Sequence, residues 1–416
     1  MKNIKYIETS ARECTPSQTL DYVEKMKIIG DTGIVPKIFR ADMIDRFGVP
    51  VYLSFSKKVN GEGIDLNFTH AGKGATAAEA KCSAIFEAIE RYSAKMEGNE
   101  RLLVAPNGAI ENAVNLERFI PGSSALLDST LEWTEANVAG KEGKKYVPAN
   151  YVYFPYRPIG KEISMVLPHD TNGLAAGNSI NEALVHATYE VVEKDAFCIF
   201  WNNSTIYPNV NLDELKNNEL IEIINILKTN NANVVIKDIT TDIKIPSFAA
   251  ILDCRKIEEP AFVYGSGTHL DPEIAILRAI TEALQLRVSQ MILLKYKPDI
   301  RYKKVSGLGS DSHDIIENMV TKDAAKFVEP MLYGKNVSIS GYERYTFNCI
   351  EESFDKIVNI INERGYDVLY KDISKDVAKF PAVRVLIPGL QPSTGLPSRR
   401  SERINIISSM IMRRNL

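Results

Sequence analysis

Apolar and polar positions in this chain follow two different periods. Around residues 76–97, 179–201 and 271–295 they form long runs rich in Ala, Leu, Ile and Glu, free of internal Gly and with Pro only at the first turn. That composition predicts three long helices. Each opens on capping chemistry. Thr76-Ala77-Ala78-Glu79 and Ser179-Ile180-Asn181-Glu182 read as capping boxes, and Asp271-Pro272-Glu273 as an N-cap followed by Pro at N1. Thr15-Pro16-Ser17-Gln18 marks a fourth start. Short β-branched runs bounded by Gly, Pro, Asp or Asn predict strands at 49–56, 64–69, 234–238, 247–252, 261–266 and 382–387. The first two read as a hairpin. The class is α/β (mixed α+β), with mixed sheets against long acidic helices.

A weak internal repeat supports this layout. Residues 233–246 read NVVIKDITTDIKIP and residues 367–381 read DVLYKDISKDVAKFP, each after a helix-like segment. The plain expectation is two similar helix–strand–turn–strand units on one sheet, with Asp238 and Asp372 capping the turns. A ligand role for either Asp is the alternative.

Composition narrows the class. The 416 residues are 45% hydrophobic and 25% charged, enough apolar content for a substantial core and too much for disorder. Net charge is −3 with no basic stripe, which disfavours a general nucleic-acid binder. No apolar run approaches a membrane span, and MKNIKYIETSARECTPSQ has no signal-type apolar region. Cys14, Cys82, Cys198, Cys254 and Cys349 are scattered, so neither a disulfide framework nor a thiolate zinc site is expected. The cytoplasm is the natural compartment. No linker-like or low-complexity stretch interrupts the chain, so one domain is expected over 1–416. Its core would cover about 10–390, with a short C-terminal extension. The basic Arg399-Arg400 and Arg413-Arg414 read as a solvated tail.

The chemistry concentrates on the three long helices. Gly72-Lys73-Gly74 precedes the first, a turn that suits an anion at a helix start but also serves as a plain turn. Within that helix Ser83, Glu87 and Glu90 share a face at i, i+4, i+7. An amphipathic surface helix would do the same, but here the acids interrupt Ala80, Ala84, Ile85, Phe86, Ala88 and Ile89. The second helix carries Glu182, Glu190 and Glu193, then Lys194 and Asp195, with capping as a competing role for Glu182. On the third, Arg278, Glu282 and Gln285 lie on one side and Arg287 points elsewhere. Carboxylates gathered without compensation raise one another's pKa or recruit a cation. Mg²⁺ is the oxygen-seeking ion that commonly arrives with phosphates. The residues therefore suggest a Mg-nucleotide site. A di-metal carboxylate bundle is the alternative, but it lacks the expected Glu-x-x-His pairs. Cys82 and Cys198, also on these helices, read as small apolar residues rather than nucleophiles.

Taken in order, these motifs resemble the YcaO family. The matching residues are Ser83-x3-Glu87-x2-Glu90-Arg91, then Asn178-x3-Glu182-x7-Glu190-x2-Glu193, then Arg278-Ala279-x-Thr281-Glu282-Ala283-x-Gln285-x-Arg287. Arg12, Pro16, Thr19 and Leu20, the stretch Asp45-Arg46-Phe47-Gly48-Val49-Pro50-Val51 and the late VLIPGL fit as well. The resemblance implies a YcaO-like fold and an enzyme that uses ATP and Mg²⁺ to activate a peptide-bond oxygen. A nucleophile adds to the amide carbonyl, the resulting oxygen is phosphorylated, and phosphate leaves. Sulfide gives a thioamide; a neighbouring Cys, Ser or Thr side chain gives an azoline. Carried over, Glu87, Glu90, Glu182, Glu190 and Glu193 are the candidate Mg²⁺ ligands. Arg12, Thr19, Ser83, Asn178, Lys194, Glu282, Gln285 and Arg287 are the candidate ATP contacts. No residue is assigned as a catalytic base. Lys194 stands where the family usually has Arg, which keeps a charge but loses bidentate geometry.

The chain lacks the Pro-rich tail of azoline-forming members and is similar to the stand-alone methanogen-type ones. That branch implies thioamidation of a glycine in the methyl-coenzyme M reductase alpha subunit, a TfuA-type sulfur-delivery partner and a homodimer. Neither nucleic acid nor membrane is implied as a partner. Azoline cyclodehydration and a nucleotide-binding scaffold without turnover are the competing functions.

Overall fold

The computed structural model describes residues 12–57, 64–119, 129–160, 163, 170–202, 205–257, 260–296, 325–390 and 402–415. In chain order the elements are α1 (Pro16–Lys25), β1 (Lys37–Arg40), β2 (Val51–Lys57), β3 (Ile64–Lys73), α2 (Ala77–Ser93), β4 (Leu103–Pro106), β5 (Thr130–Val138), β6 (Lys144–Pro148), α3 (Ala149–Val152), β7 (Leu174–Ala176), α4 (Ile180–Trp201), β8 (Asn209–Val210), α5 (Asn218–Thr229), β9 (Asn233–Asp238), β10 (Ser247–Asp253), β11 (Phe262–Thr268), α6 (Pro272–Tyr296), α7 (Ala325–Leu332), β12 (Asn336–Val337), α8 (Ile350–Glu363), β13 (Leu369–Asp372), β14 (Ala382–Leu386) and α9 (Glu402–Asn415). The fold is mixed α+β.

The helix starts follow from their caps. Thr15 Oγ1 accepts the Gln18 N–H at 3.2 Å while Gln18 Oε1 accepts the Thr15 N–H at 2.9 Å. Thr76 and Glu79 make the same reciprocal pair at 3.3 and 3.2 Å. Asp271 Oδ1 accepts from the N–H groups of Glu273 and Ile274. These bonds satisfy donors that the helix itself cannot.

The chain forms two compact units. The first draws on 1–19, 86–195 and 346–393, the second on 20–85, 196–345 and 394–416. Each gathers three separate stretches, so neither is a contiguous sequence domain. In the first unit a sheet runs β4-β5-β13-β14-β7, with β6 also paired to β5, all antiparallel. Trp133, Val147, Leu174 and Tyr189 are buried there. In the second, β1-β2-β3 form one antiparallel sheet, which includes the predicted hairpin. The other runs β11-β10-β9-β8-β12, antiparallel except for β8–β12. Leu220, Ile223 and Leu227 of α5 meet Ile236, Phe248 and the Ala275, Ala279, Ala283 stripe of α6 in one core.

Two helices lie directly on their preceding strands, and glycine permits it. A Cβ on Gly72 of β3 would fall 2.1 Å from the Ala84 nitrogen of α2, and one on Gly267 of β11 would fall 2.1 Å from the Ala275 carbonyl oxygen of α6.

The repeat is real and its two copies match in detail, but they lie on two sheets, not on one. Helix α5 leads into β9–β10 in the second unit, and α8 into β13–β14 in the first. Asp238 pairs in register with Phe248, and Asp372 with Val383. Asp238 Oδ1 accepts the Thr240 N–H at 3.0 Å, and Asp372 Oδ1 accepts the Ser374 N–H at 2.9 Å. The Thr240 and Ser374 hydroxyls then accept from the Ser247 and Ala382 N–H groups, both at 3.0 Å. Lys244 and Lys379 both take positive φ, at 66° and 62°. The Asp residues thus cap turns, as expected.

The C-terminal stretch departs from the solvated tail. Residues 402–415 form α9, whose Ile404, Ile407 and Ile411 recur at i, i+3, i+7 and are buried beside Ile199, Phe200 and Phe262. Arg399 and Arg400 lie outside the described residues.

Lys237 on β9 is wholly buried. Its ammonium donates to the carbonyl of Tyr207 at 3.0 Å and to that of Tyr333, tying the α7–β12 segment to the sheet. No carboxylate pairs with it in those bonds, and burial pushes its pKa from 10.5 down to about 8. Between these values the unfolded chain holds a proton that the native chain does not, so stability rises with pH across that window. Denaturation midpoints measured from about pH 8 to 10 should show this rise, and Lys237→Met should remove it. Gly72→Ala should lower stability by about 1–3 kcal/mol in urea unfolding, because helix and strand must part. Gly108→Ala, where nothing lies within 4 Å, should be close to neutral.

Candidate functional site

Helix α4 supplies three of the five candidate carboxylates, Glu182, Glu190 and Glu193. Its residues Ala183, Leu184, Val185, Ala187, Val191 and Val192 are buried, so Glu182, Glu190 and Glu193 are set among apolar neighbours. Ser179 caps the helix, its Oγ accepting the Glu182 N–H at 3.1 Å. The Glu182 carboxylate does not serve as a cap. It is completely buried and takes a hydrogen bond from Arg12 Nη1 at 2.6 Å, from the Glu13 N–H at 3.2 Å and from Asn178 Nδ2 at 3.1 Å. Thr19 Oγ1 donates to Asn178 Oδ1 at 3.1 Å. Arg12, Thr19, Asn178 and Glu182, spread over 170 residues of sequence, therefore form one network.

Glu90 of α2 and Glu190 of α4 form the second part. The Ala176 N–H donates to Glu90 at 3.4 Å, and the Gly173 N–H to Glu190 at 3.3 Å. Burial pushes the Glu90 pKa well above the carboxylate range; Arg91 opposes that shift, while Glu190 and Glu87 add to it. Burial also raises Glu190, to about 7, with Glu193 adding and Lys194, Arg91 and Arg384 opposing. Arg91 Nη2 lies 3.6 Å from Glu87, and Lys194 Nζ 3.3 Å from Glu193. These nine predicted residues, Arg12, Thr19, Glu87, Glu90, Asn178, Glu182, Glu190, Glu193 and Lys194, all belong to the first unit.

Ser83, Glu282, Gln285 and Arg287 belong to the second unit. Glu282 pairs with Lys73, and the Gln285 amide donates to the Ala71 carbonyl, so one face of α6 holds β3. Arg287 has no exposed surface. It pairs with Asp45 at 3.1 Å, donates to the Pro260 carbonyl at 2.9 Å and stacks over Phe47. Its off-face position is explained by this clamp on the Asp45–Phe47 turn.

Among the described residues no three carboxylates, thiols or imidazoles converge closely enough to hold a metal ion by themselves. The donor set nevertheless fits Mg²⁺ with phosphate. Glu190 adds to the cost of ionising Glu90, which a cation would relieve. Arg91 Nη1 and Arg384 Nε are buried donors without an acceptor, which phosphate oxygens would supply. Arg384, an inward-facing charge in the apolar strand AVRVL, escaped the sequence reading; its signal was that lone charge.

Residues 71–391 match the family described as YcaO cyclodehydratase, ATP- and Mg²⁺-binding. An uncharacterized protein of Methanothermobacter thermautotrophicus is 31% identical over 393 residues, covering 94% of this chain and 97% of that one. A Rhizobium leguminosarum bv. trifolii protein described as lying in the tfuA 3′ region is 25% identical over 300 residues, 67% of each chain. Two solved structures share the fold. YcaO from Methanopyrus kandleri, bound with AMPPCP and Mg²⁺, has TM-score 0.71 and 24% identity over 94% of this chain and 95% of its own. A heterocyclase in complex with substrate and cofactor has TM-score 0.76 and 24% identity over 95% of this chain, which spans 55% of the heterocyclase.

Removing the Arg12 charge leaves a buried Glu182 carboxylate with only neutral donors. Arg12→Met should cost about 3 kcal/mol or more in urea unfolding, and Arg12→Met combined with Glu182→Gln should recover much of it.

Proposed function

Since the chain belongs to the YcaO family of ATP- and Mg²⁺-binding proteins, we propose that it activates a peptide backbone amide by O-phosphorylation, with sulfide as nucleophile, and so makes a thioamide. The observation that carries the ATP-dependent part is the buried group of carboxylates and guanidiniums around Glu90, Glu190, Arg91 and Arg384. Sulfide as nucleophile is supported by the relative in the tfuA 3′ region and by the methanogen relative.

Glu87, Glu90, Glu182, Glu190 and Glu193 are the proposed Mg²⁺ ligands, with Arg12, Thr19, Ser83, Asn178, Lys194, Glu282, Gln285 and Arg287 on the nucleotide. Bound Mg²⁺ supplies charge neutralisation for phosphoryl transfer. Asn178, held by Thr19, orients Glu182; Arg12 offsets its charge. The Gly173 and Ala176 N–H groups orient Glu190 and Glu90. In the reaction, hydrosulfide adds to the amide carbon and the carbonyl electrons move to oxygen. That oxygen takes the terminal phosphoryl group, ADP leaves, and loss of phosphate with the proton from sulfur forms the C=S bond. The amide oxygen thereby departs on phosphate, a far better leaving group than hydroxide.

The proposed substrate is a glycine-containing segment of the methyl-coenzyme M reductase alpha subunit, with a TfuA-type sulfur-delivery partner and a homodimeric enzyme in the cytoplasm. The family description as cyclodehydratase favours a second reading, azoline formation on a Cys, Ser or Thr peptide. The test is ATP, Mg²⁺, sulfide and the reductase peptide in one tube, with peptide mass and phosphate followed together. Replacement of one oxygen by one sulfur, dependent on ATP and lost in Glu190→Ala, is the expected outcome. Loss of one water from a Cys-containing peptide instead would establish the azoline reading. ATP bound without phosphate release or mass change would leave a scaffold.

A further inference from the structure

Arg384 lies on β14 with 2% of its surface exposed, inside the first unit. Nη1 donates to the Asp170 carbonyl at 3.1 Å and Nη2 to Asp170 Oδ1 at 3.3 Å. These bonds hold the turn that ends in Gly173, whose N–H reaches Glu190. The turn also receives the Val385 N–H at the Gly173 carbonyl, 2.8 Å, so it is tethered at two consecutive residues of β14. Tethering needs the two terminal nitrogens and leaves Nε over. Nε is buried without an acceptor, and so is Nη1 of Arg91. The two guanidiniums both act on Glu190 and repel each other.

A buried N–H with no acceptor costs free energy, and one such donor beside another like charge costs more. Two such guanidinium donors acting on a shared carboxylate suit an anion. Glu190 does not answer either donor, since neither makes a hydrogen bond to it. An oxygen-rich tetrahedral anion does, since it offers several acceptors at once.

We propose that Arg384, with Arg91, binds the terminal phosphoryl group of a nucleoside triphosphate, so that a residue of the β14 strand reads triphosphate against diphosphate. This rests on the nucleotide reading above. The strand position matters: Arg384 is fixed by sheet pairing to Lys371 and Leu174, so it is preorganised rather than a mobile surface arginine.

The test is calorimetric binding of AMPPCP, ADP and inorganic phosphate, each with Mg²⁺, to the full chain and its variants, with melting temperatures recorded. Arg384→Met should weaken AMPPCP about ten- to hundredfold and change ADP little. Arg384→Lys, which keeps the charge and is the more conservative fold, should fall between. Asp170→Asn should lower the melting temperature but keep the AMPPCP-over-ADP preference. Equal weakening of AMPPCP and ADP would reduce Arg384 to a tether for the Asp170 turn, and unchanged affinity would remove it from binding altogether. Loss of phosphate binding with AMPPCP unchanged would reassign the pair to free phosphate. Failure of the unmodified chain to bind AMPPCP would instead overturn the nucleotide reading, whatever the variants do.

Discussion

Carboxylates buried among apolar helix residues must be neutralised, protonated or left at high cost, and the acids of the first unit answer this in different ways. Glu182 is neutralised: Arg12, the Glu13 N–H and Asn178 occupy its oxygens. Glu193 leans on Lys194. Glu190, with one backbone N–H and competing charges on several sides, has its pKa pushed up to about 7 by burial. The acids that are least compensated, Glu90 and Glu190, come from different helices, and Glu190 acts on Glu90. The fold could have filled those positions with Leu at lower cost. Their presence is what makes a cation-and-phosphate reading stronger than a structural one.

The scaffold that brings them together is repetitive. A strand ends, a short turn with glycine or Asp-Pro follows, and a long helix begins: β3 into α2, β7 into α4, β11 into α6. Close approach is what the glycines supply. At Gly177 a Cβ would fall 2.7 Å from the Ala183 nitrogen, and at Gly173 2.2 Å from the Val385 carbonyl oxygen. The same compactness puts backbone N–H groups of the turn within reach of helix carboxylates, so packing and acid orientation come from one geometric device.

The long helices and their starts were legible because capping and composition are local: Thr15, Thr76, Ser179 and Asp271 each accept the expected N–H. The strand pairings of the hairpin and the repeat were legible for the same reason. Which sheet each repeat joins was not, since sheet membership depends on contacts between distant segments, and both copies carry the same local sequence. Helix α9 was not legible because its Ile404, Ile407 and Ile411 are buried only by contact with Ile199, Phe200 and Phe262, far away in sequence. Glu182 as network centre and not as cap depended on Arg12, 170 residues away, and the motif resemblance supplied that pairing only as a list of parts. The clamp of Arg287 on Asp45 likewise joins two motifs that the resemblance supplied separately.

The duplicated turn shows how a fold element becomes part of a site. Both copies spend the same Asp, hydroxyl and positive-φ Lys on the turn itself, which fixes the two strands leaving it. Two residues into the second strand, one copy has Ala249 and the other Arg384. Ala249 is buried in an apolar core beside Ile251 and Phe262. Arg384, at the matching place, is equally buried but stands among Asp170, Glu190 and Arg91. Because the turn and register are the same, the difference lies in the side chain and its surroundings rather than in the backbone. A rigid strand position that holds a methyl group in one unit holds a charge in the other. Such a position can present a cation to an acidic cluster without the ordering cost that a surface loop would carry.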